Sequence, residues 1–478
     1  MSRYIVHTFG CQMNAHDSDR MEEVLRAHGW SAADSIEDAD LVVLNTCSVR
    51  EKAEQKLRSE VGKLAPLKSR KNRGLVLAVA GCVAQQEGEK LLARVAHLDL
   101  VIGPDNLAEL PMLVADQMAG APPRARTVFD LDAPRFLAAA PEPGAAPVSA
   151  FVTTMKGCDE RCSFCIVPYT RGPERYRPAA EIIDEVARWV DNGGREVTLL
   201  GQTVDSYRDP SLPPPASDDP DESQFPSLLR AIAAGVPGLR RLRYTSPHPR
   251  HATASLADAH AEIDILARHV HMPVQSGSDR VLKRMIRRYT RAEYTARVRR
   301  LLSTRPDMTI STDIIVGFPG ETEQDFQATL DLVRDIGFVG VFGFKYSPRP
   351  FTPALKLKDD VSESEKSERL ARLFELSEAQ TRAHLARLVG TRQVVLVEGP
   401  GKTPGTWEGR TERNEIVHVD GRPAEGRALT GELVEVEITQ AFKHSLAGLP
   451  TTAALSALPK DGGRSRPFRR RRALPLVV

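Results

Sequence analysis

The chain is predicted to be an α/β protein built from three units: a doubly wound parallel sheet, a (β/α)6 barrel or open partial barrel, and a small antiparallel β-barrel. Three observations predict it. Short continuous apolar runs alternate with amphipathic helical stretches over residues 1–120, and again from Val148 to about Tyr346, as in parallel sheets covered on both faces. Beyond residue 390 the apolar runs shorten and are divided by Gly and Pro, the pattern of a small barrel. Finally, the six cysteines of the 478 residues fall into two sets of three, each placed just past strand-like runs.

In the first unit, residues 1–120, Tyr4–Thr8, Leu41–Leu44, Leu75–Val79 and Leu98–Ile102 read as strands. A helix from about Asp17 carries Met21, Val24, Leu25 and His28 on one face and stops at Gly29; a second carries Ala53, Leu57, Val61 and Leu64. Cys11, Cys47 and Cys82 follow the first three strands. A doubly wound sheet gathers ligands beyond the carboxyl ends of its strands, so these three are delivered to one edge. Residues 121–147, rich in Pro and Ala, read as a linker. The second unit, 148–383, offers six strands: Ala150–Met155, Glu196–Leu200, Leu242–Thr245, His271–Val274, Thr309–Val316 and Val339–Phe344. Its active mouth is expected at their carboxyl ends, with 209–220 an exposed excursion. Ser362 and Glu365 form a capping box opening a long helix closed by Gly390. Val394–Glu398, Glu415–Val419 and Leu433–Thr439 are the strands of the third unit, 384–448. Residues 449–478 read as a basic, disordered tail.

Composition narrows the classes. A 41% apolar content supports packed cores, no run approaches the roughly 18 apolar residues of a membrane span, and the N-terminus lacks a secretory apolar run. Six thiols suited to metal fit a reducing compartment, so the cytoplasm is expected. Net charge is only +2. Residues 460–472 hold seven Lys/Arg and one Asp, leaving 58 basic and 62 acidic residues elsewhere. Ten Arg/Lys between Arg280 and Arg305, against Glu293 alone, could track phosphates; the plainer reading is a solvated helix face.

Cys158, Cys162 and Cys165 follow the first strand of the second unit. Three thiolates hold a cuboidal iron–sulfur cluster and leave its fourth iron open. Zinc is the alternative, but it prefers four ligands in paired Cys-xx-Cys spacings, and no fourth cysteine stands nearby. Cys11, Cys47 and Cys82 make a second set of three, so two clusters with open corners are expected. This pattern is that of a redox enzyme.

The Cys-xxx-Cys-xx-Cys spacing resembles the radical S-adenosylmethionine superfamily. Further strings resemble its methylthiotransferases, in the tRNA isopentenyladenosine branch: TFGCQMN (8–14), NTCSVREKAE (45–54), GCVAQ (81–85), GCDERCSFCIVPYTRGPER (157–175), HMPVQSGSD (271–279) and DIIVGFPGETEQDF (313–326). The resemblance runs from Arg3 to Leu449. It implies a Rossmann-like methylthiotransferase N-terminal domain, a radical SAM core of partial TIM-type barrel, and a TRAM barrel, OB-like, that binds RNA. It implies that Cys158, Cys162 and Cys165 hold the 4Fe-4S cluster that chelates S-adenosylmethionine and cleaves it reductively to a deoxyadenosyl radical. Cys11, Cys47 and Cys82 would hold an auxiliary 4Fe-4S cluster where sulfur is delivered and methylated by a second S-adenosylmethionine. The product would be a methylthio group at carbon 2 of isopentenyladenosine beside the tRNA anticodon, with flavodoxin or ferredoxin as electron donor and a monomeric enzyme. That C–H bond is strong and not usefully acidic, so the chemistry belongs to the cofactor.

The resemblance also implies weaker contacts. Gly317, Gly320 and Glu321 would approach the adenosine, Gln202 the methionine moiety, Gln275 and Ser276 the ribose or substrate, and Tyr169 or Phe164 the adenine. Lys402, Arg410, Arg413 and Lys443 are candidate RNA contacts. The chain departs from the pattern at Thr203, Tyr176 and Phe351, where asparagine, serine and glycine are common. Sister enzymes modifying threonylcarbamoyladenosine or a ribosomal-protein aspartate share the chemistry, and an RNA-binding protein with structural metal sites is the non-catalytic alternative.

Overall fold

A computed structural model describes residues 2–458 except Arg50, 71–73, Ala133, 140–145, Ala216 and 425–427. The expected arginine-rich segment from residue 459 onward lies outside the described residues. The N-terminal sheet is all parallel, ordered Ser31–Ala32, Arg3–Phe9, Leu41–Thr46, Val76–Gly81, Leu100–Ile102, Arg124–Arg126. Leu41 to Leu44 are all 0% exposed, because alternate residues meet helices on opposite faces. Leu41 and Val43 pack with Met21 and Leu25 of helix Gln12–Ala27, and Val42 and Leu44 with Leu57, Val61 and Leu64 of helix Glu51–Arg70. Arg124–Arg126 corrects the linker reading: a charged three-residue stretch (RAR) still pairs with Leu100–Ile102 as an edge strand, where one ladder suffices.

The second unit has two parallel three-stranded halves. Ser149–Thr153, Glu196–Leu200 and Arg241–Tyr244 form one; His269–His271, Thr309–Val316 and Gly340–Lys345 form the other. A bridge between Leu242 and Leu266 joins them, and the first and last strands are not neighbours in either sheet, so the barrel is partial. The fourth strand sits earlier than expected, ending at His271, since Pro273 has no N–H for the ladder.

The third unit is a closed five-stranded barrel, ordered Arg392–Pro400, Thr406–Thr411, Ile416–Asp420, Ser445–Pro450, Leu433–Ala441. It is antiparallel except where Ile416–Asp420 runs parallel to Ser445–Pro450. The expected tail begins too early at 449. Ser445–Pro450 is a strand, Thr451 caps helix Thr452–Ala457 by accepting from the Ala454 N–H, and Leu455 and Leu458 pack on the barrel core.

Helix Glu363–Leu388, opened by the Ser362/Glu365 capping box, runs from one barrel to the other: Thr381 donates to the Val339 carbonyl at 2.9 Å, and His384 meets Glu415 at 2.7 Å. The loop after Thr406–Thr411 is seated at the amino ends of the partial barrel's strands. Arg243 donates to the carbonyls of Thr411 (2.7 Å) and Glu412 (3.0 Å), and Arg241 to that of Arg410 (2.9 Å). Glu196, fully buried, carries both arginines at 3.4 and 3.0 Å. Glu196→Leu should strand two buried cations, destabilising the protein by about 3–5 kcal/mol. The thermal midpoint measures it; an unchanged midpoint would remove this cluster as the clamp.

Candidate functional site

Three loops at the carboxyl edge of the first sheet bring Cys11, Cys47 and Cys82 together. Cys11 is the N-cap of helix Gln12–Ala27, Cys47 follows Leu41–Thr46, and Cys82 opens helix Cys82–Glu87. The neighbouring Cys47 thiol holds Cys11 below the ordinary thiol value against the upward push of burial; the same pairing, with burial, raises Cys47 well above it. Two buried asparagines lock these loops. Asn14 accepts from the Cys11 N–H (3.3 Å) and donates to Asn45 Oδ1 and the Thr46 carbonyl (both 3.2 Å), while Asn45 donates to the Asn14 carbonyl (2.8 Å).

Two glycines permit the approach. A Cβ on Gly10 (φ +136) would fall 2.3 Å from Cys47 Cβ, and one on Gly81 (φ +92) 2.3 Å from Asn45 Oδ1. Gly10→Ala should therefore spread the loops and lower the iron held by this set, read as total iron after anaerobic reconstitution; full retention would contradict the packing argument.

At the barrel mouth, Cys158, Cys162 and Cys165 follow Ser149–Thr153. The Cys158 N–H donates to the Gly172 carbonyl (3.1 Å), and its sulfur lies 3.0 Å from Thr203 Oγ1. Burial pushes up the thiols of Cys158 and of Cys165, the latter to about 12, so metal binding must displace protons. All six cysteines are free thiols. Among the described residues, no three Cys, His, Asp or Glu side chains close to the spacing of a single metal ion; a cuboidal cluster asks for wider donors, one thiolate per iron.

Each set has one buried arginine donating to one sulfur. Arg171 Nε reaches Cys82 Sγ at 3.3 Å while its Nη2 pairs with Asp17 at 2.6 Å. Arg287 Nη1 reaches Cys162 Sγ at 3.3 Å and its Nη2 the Pro273 carbonyl at 2.9 Å. Donors of this kind offset thiolate charge and tune a cluster. Arg171 comes from the barrel, just past Cys165, and binds the N-terminal domain, so the two sets share one seam. A second tie closes it: Arg349 meets Glu54 (3.2 Å) and the Val49 carbonyl (3.0 Å), and the Ala354 N–H donates to Ser163, between Cys162 and Cys165 (2.8 Å). A cavity at the seam is lined by His16, Asp17, Arg20, Thr153, Lys156 and Arg171.

Polar atoms without a hydrogen-bond partner among the described residues gather at the mouth: Gln202 Nε2, Glu160 Oε2, Asp205 Oδ2 and His248 Nε2. Burial raises Asp205 to about 7 and holds His248 well below the imidazole value. Such a donor and acceptor set fits a small zwitterion with hydroxyl groups. Gln202 Oε1 meanwhile accepts from the Gly157 N–H at 2.5 Å, holding the residue against the cysteine loop.

The other expected contacts divide. Gln275 stands at φ +75 at the strand end, its N–H given to the Asp313 carbonyl. Ser276 is buried and accepts from the Ser278 N–H (3.2 Å). The Gly317 and Gly320 α-carbons turn onto Lys366 and Arg284, and Glu321 accepts from the Gly317 N–H (2.6 Å) and Arg369 (2.9 Å), so this turn is braced from within. Phe164 packs edge-on against Phe318. In the third unit Lys402 is exposed, Arg410 pairs with Glu398 (3.5 Å) and Lys443 with Glu378 (2.8 Å). Arg413 is corrected as an RNA contact: only 9% of its side chain is exposed, and its guanidinium is shared among Asp307, Glu415 and Gln393. The basic stripe is partly spent internally, Arg280 on Asp325, Arg291 on Asp335 and Arg297 on Asp221, while Lys283, Arg288, Arg299 and Arg300 are exposed. Sequence reasoning missed Asn14, Asn45, Arg171 and Arg287; the strings TFGCQMN, NTCSVREKAE and PYTRG contain three of them.

Residues 3–103 match Uncharacterized protein family UPF0004, 152–333 the Radical SAM superfamily and 386–449 the TRAM domain. A protein of Sorangium cellulosum named tRNA-2-methylthio-N(6)-dimethylallyladenosine synthase is 63% identical over 498 aligned positions, covering 100% of this chain and 99% of that one. One of the same name from Leptothrix cholodnii is 45% identical over 448, covering 93% of each. Among solved structures, a radical S-adenosylmethionine methyltransferase from Kitasatospora setae with cobalamin and a 4Fe-4S cluster bound superposes with TM-score 0.51 at 15% identity, covering 85% of this chain and 81% of that one. At that identity the likeness is one of fold.

Proposed function

The chain belongs to the family of tRNA-2-methylthio-N(6)-dimethylallyladenosine synthases, and from that premise we propose how its residues divide the work of methylthiolating carbon 2 of isopentenyladenosine beside the tRNA anticodon. When bound, a reduced 4Fe-4S cluster with S-adenosylmethionine supplies a deoxyadenosyl radical able to take the unactivated C–H hydrogen, and an auxiliary cluster supplies the place where sulfur is methylated.

Cys158, Cys162 and Cys165 hold the first cluster, with Arg287 offsetting its charge through Cys162. Gln202 and Asp205 present their unpartnered atoms to the S-adenosylmethionine, beside Glu160 and His248, whose Oε2 and Nε2 lie 3.8 Å apart. Cys11, Cys47 and Cys82 hold the auxiliary cluster, with Arg171 doing for Cys82 what Arg287 does for Cys162. The nucleoside enters at the seam, sheltered from water on both sides. One S-adenosylmethionine is spent on the radical and one on the methyl group. The TRAM barrel grips the RNA through exposed residues such as Lys402 and Lys443, and electrons come from flavodoxin or ferredoxin. The chain acts as a monomer.

The observation that carries this reading is the tie from Arg171, of the barrel's cysteine segment, to Cys82 of the other set. Nucleoside analysis of tRNA from a deletion strain tests it: isopentenyladenosine without its methylthio group should accumulate. Accumulation of unmodified threonylcarbamoyladenosine instead would move the enzyme to a sister reaction. At the barrel mouth, Gln202→Leu should weaken S-adenosylmethionine binding roughly tenfold, as for loss of a hydrogen bond to a charged group, with total iron unchanged; unchanged affinity would remove Gln202 from that contact.

A further inference from the structure

Phe351 stands in the left-handed region at φ +67, where a bulky side chain is a genuine outlier. Burial does not explain it, because Phe351 is 56% exposed. Its ring faces Tyr169, 39% exposed, with centroids 5.9 Å apart and planes inclined by 38°. Two large aromatic faces are thus held side by side at the surface, one of them in a backbone conformation that favours glycine.

Their place in the chain gives the pair a meaning. Tyr169 lies in helix Val167–Thr170, between Cys165 and the Arg171 that reaches Cys82. Phe351 lies between Arg349, anchored on Val49 of the Cys47 loop and on Glu54 of the helix that follows it, and Ala354, anchored on Ser163 between Cys162 and Cys165. Thr352 Oγ1 donates to the Arg349 carbonyl at 2.7 Å and fixes the turn. Both rings therefore stand on the segments that join the two cysteine sets, at the rim of the seam. Strain held in place by such over-determined anchors points to what the residue presents.

We propose that the Tyr169–Phe351 pair is a stacking platform for an unpaired nucleobase adjoining the modified nucleoside in the tRNA anticodon loop. The inference rests on the functional reading above and extends it to the neighbouring base. Bringing one nucleoside into the seam takes it out of its stack and exposes the faces of its neighbours. Proteins that read single-stranded RNA cover such faces with aromatic rings. An exposed aromatic pair beside the entrance supplies that cover without asking which base arrives, because every base has a π-face.

The test uses the full-length reconstituted protein and a synthetic anticodon stem-loop RNA bearing isopentenyladenosine, with 2-aminopurine at either flanking nucleotide. Binding to the wild type should quench one of the two probes by stacking. Phe351→Gly and Tyr169→Leu should each abolish most of that quenching and weaken binding about 5- to 20-fold. The double variant should lose little more than the worse single one, because half a platform no longer works as one. Glycine adopts this φ without strain, so the iron content and thermal midpoint of Phe351→Gly should match the wild type; Phe351→Leu serves if it does not fold. Wild-type binding without quenching, variants that bind as tightly, or weakened binding with quenching intact would each overturn the platform while leaving the proposed reaction standing. Absence of wild-type binding to this RNA would overturn both.

Discussion

On the proposed function, a Cys47→Ala protein will still cleave S-adenosylmethionine under reducing conditions but will install no methylthio group on tRNA, and it will hold about four irons where about eight are expected of the wild type. The expectation follows from position. Cys47 is fully buried, a free thiol beside that of Cys11, with its N–H donated to the Phe9 carbonyl, so alanine removes a donor that no neighbouring cysteine can replace. The barrel's own set lies on another domain and keeps its three thiols. Deoxyadenosine formation, labile sulfide and methylthiolated nucleoside should be measured on one preparation. Methylthiolated tRNA from this variant would end the division of labour between the two sets, and one equivalent of zinc with no visible absorbance in the wild type would end the cluster assignment itself.

The counterpart is Cys162→Ala, which should abolish both S-adenosylmethionine cleavage and methylthiolation while the auxiliary set keeps about four irons. Cys162 accepts from Arg287, and its loss leaves that buried guanidinium without its sulfur partner, though the Tyr289 hydroxyl (2.8 Å) and Pro273 carbonyl still receive it. The variant should therefore fold. Deoxyadenosine above the protein-free background would refute the assignment.

Much of this architecture was legible in the chain because the informative patterns are local. Cys158, Cys162 and Cys165 lie within eight residues, and the inner strands of the first sheet are continuous apolar runs such as Leu41–Leu44. What escaped depended on contacts between distant segments. Arg171 and Arg287 look like surface residues until the fold sets them against Cys82 and Cys162. Asn14 and Asn45 sit inside recognisable strings, but nothing in those strings says that each holds the other's loop. The reverse error befell Arg413: an arginine in a polar loop reads alike whether it faces solvent or fills a gap between domains. Edge strands fail for another reason. Arg124–Arg126 needs only one paired side, and in three residues the lone Ala125 that packs on the core is too little to read as a pattern.

The loop that Arg241, Arg243 and Glu196 clamp beneath the partial barrel makes the RNA-binding module a fixed arm of the catalytic body. A flexible tether would let a captured RNA search for the reaction centre, with success set by tether length and effective concentration. A rigid mount works as a gauge. On the proposed function it admits only those RNAs whose gripped stem and target nucleoside are spaced to match the distance between arm and seam, and it turns away a loop of identical sequence carried on a stem of the wrong length.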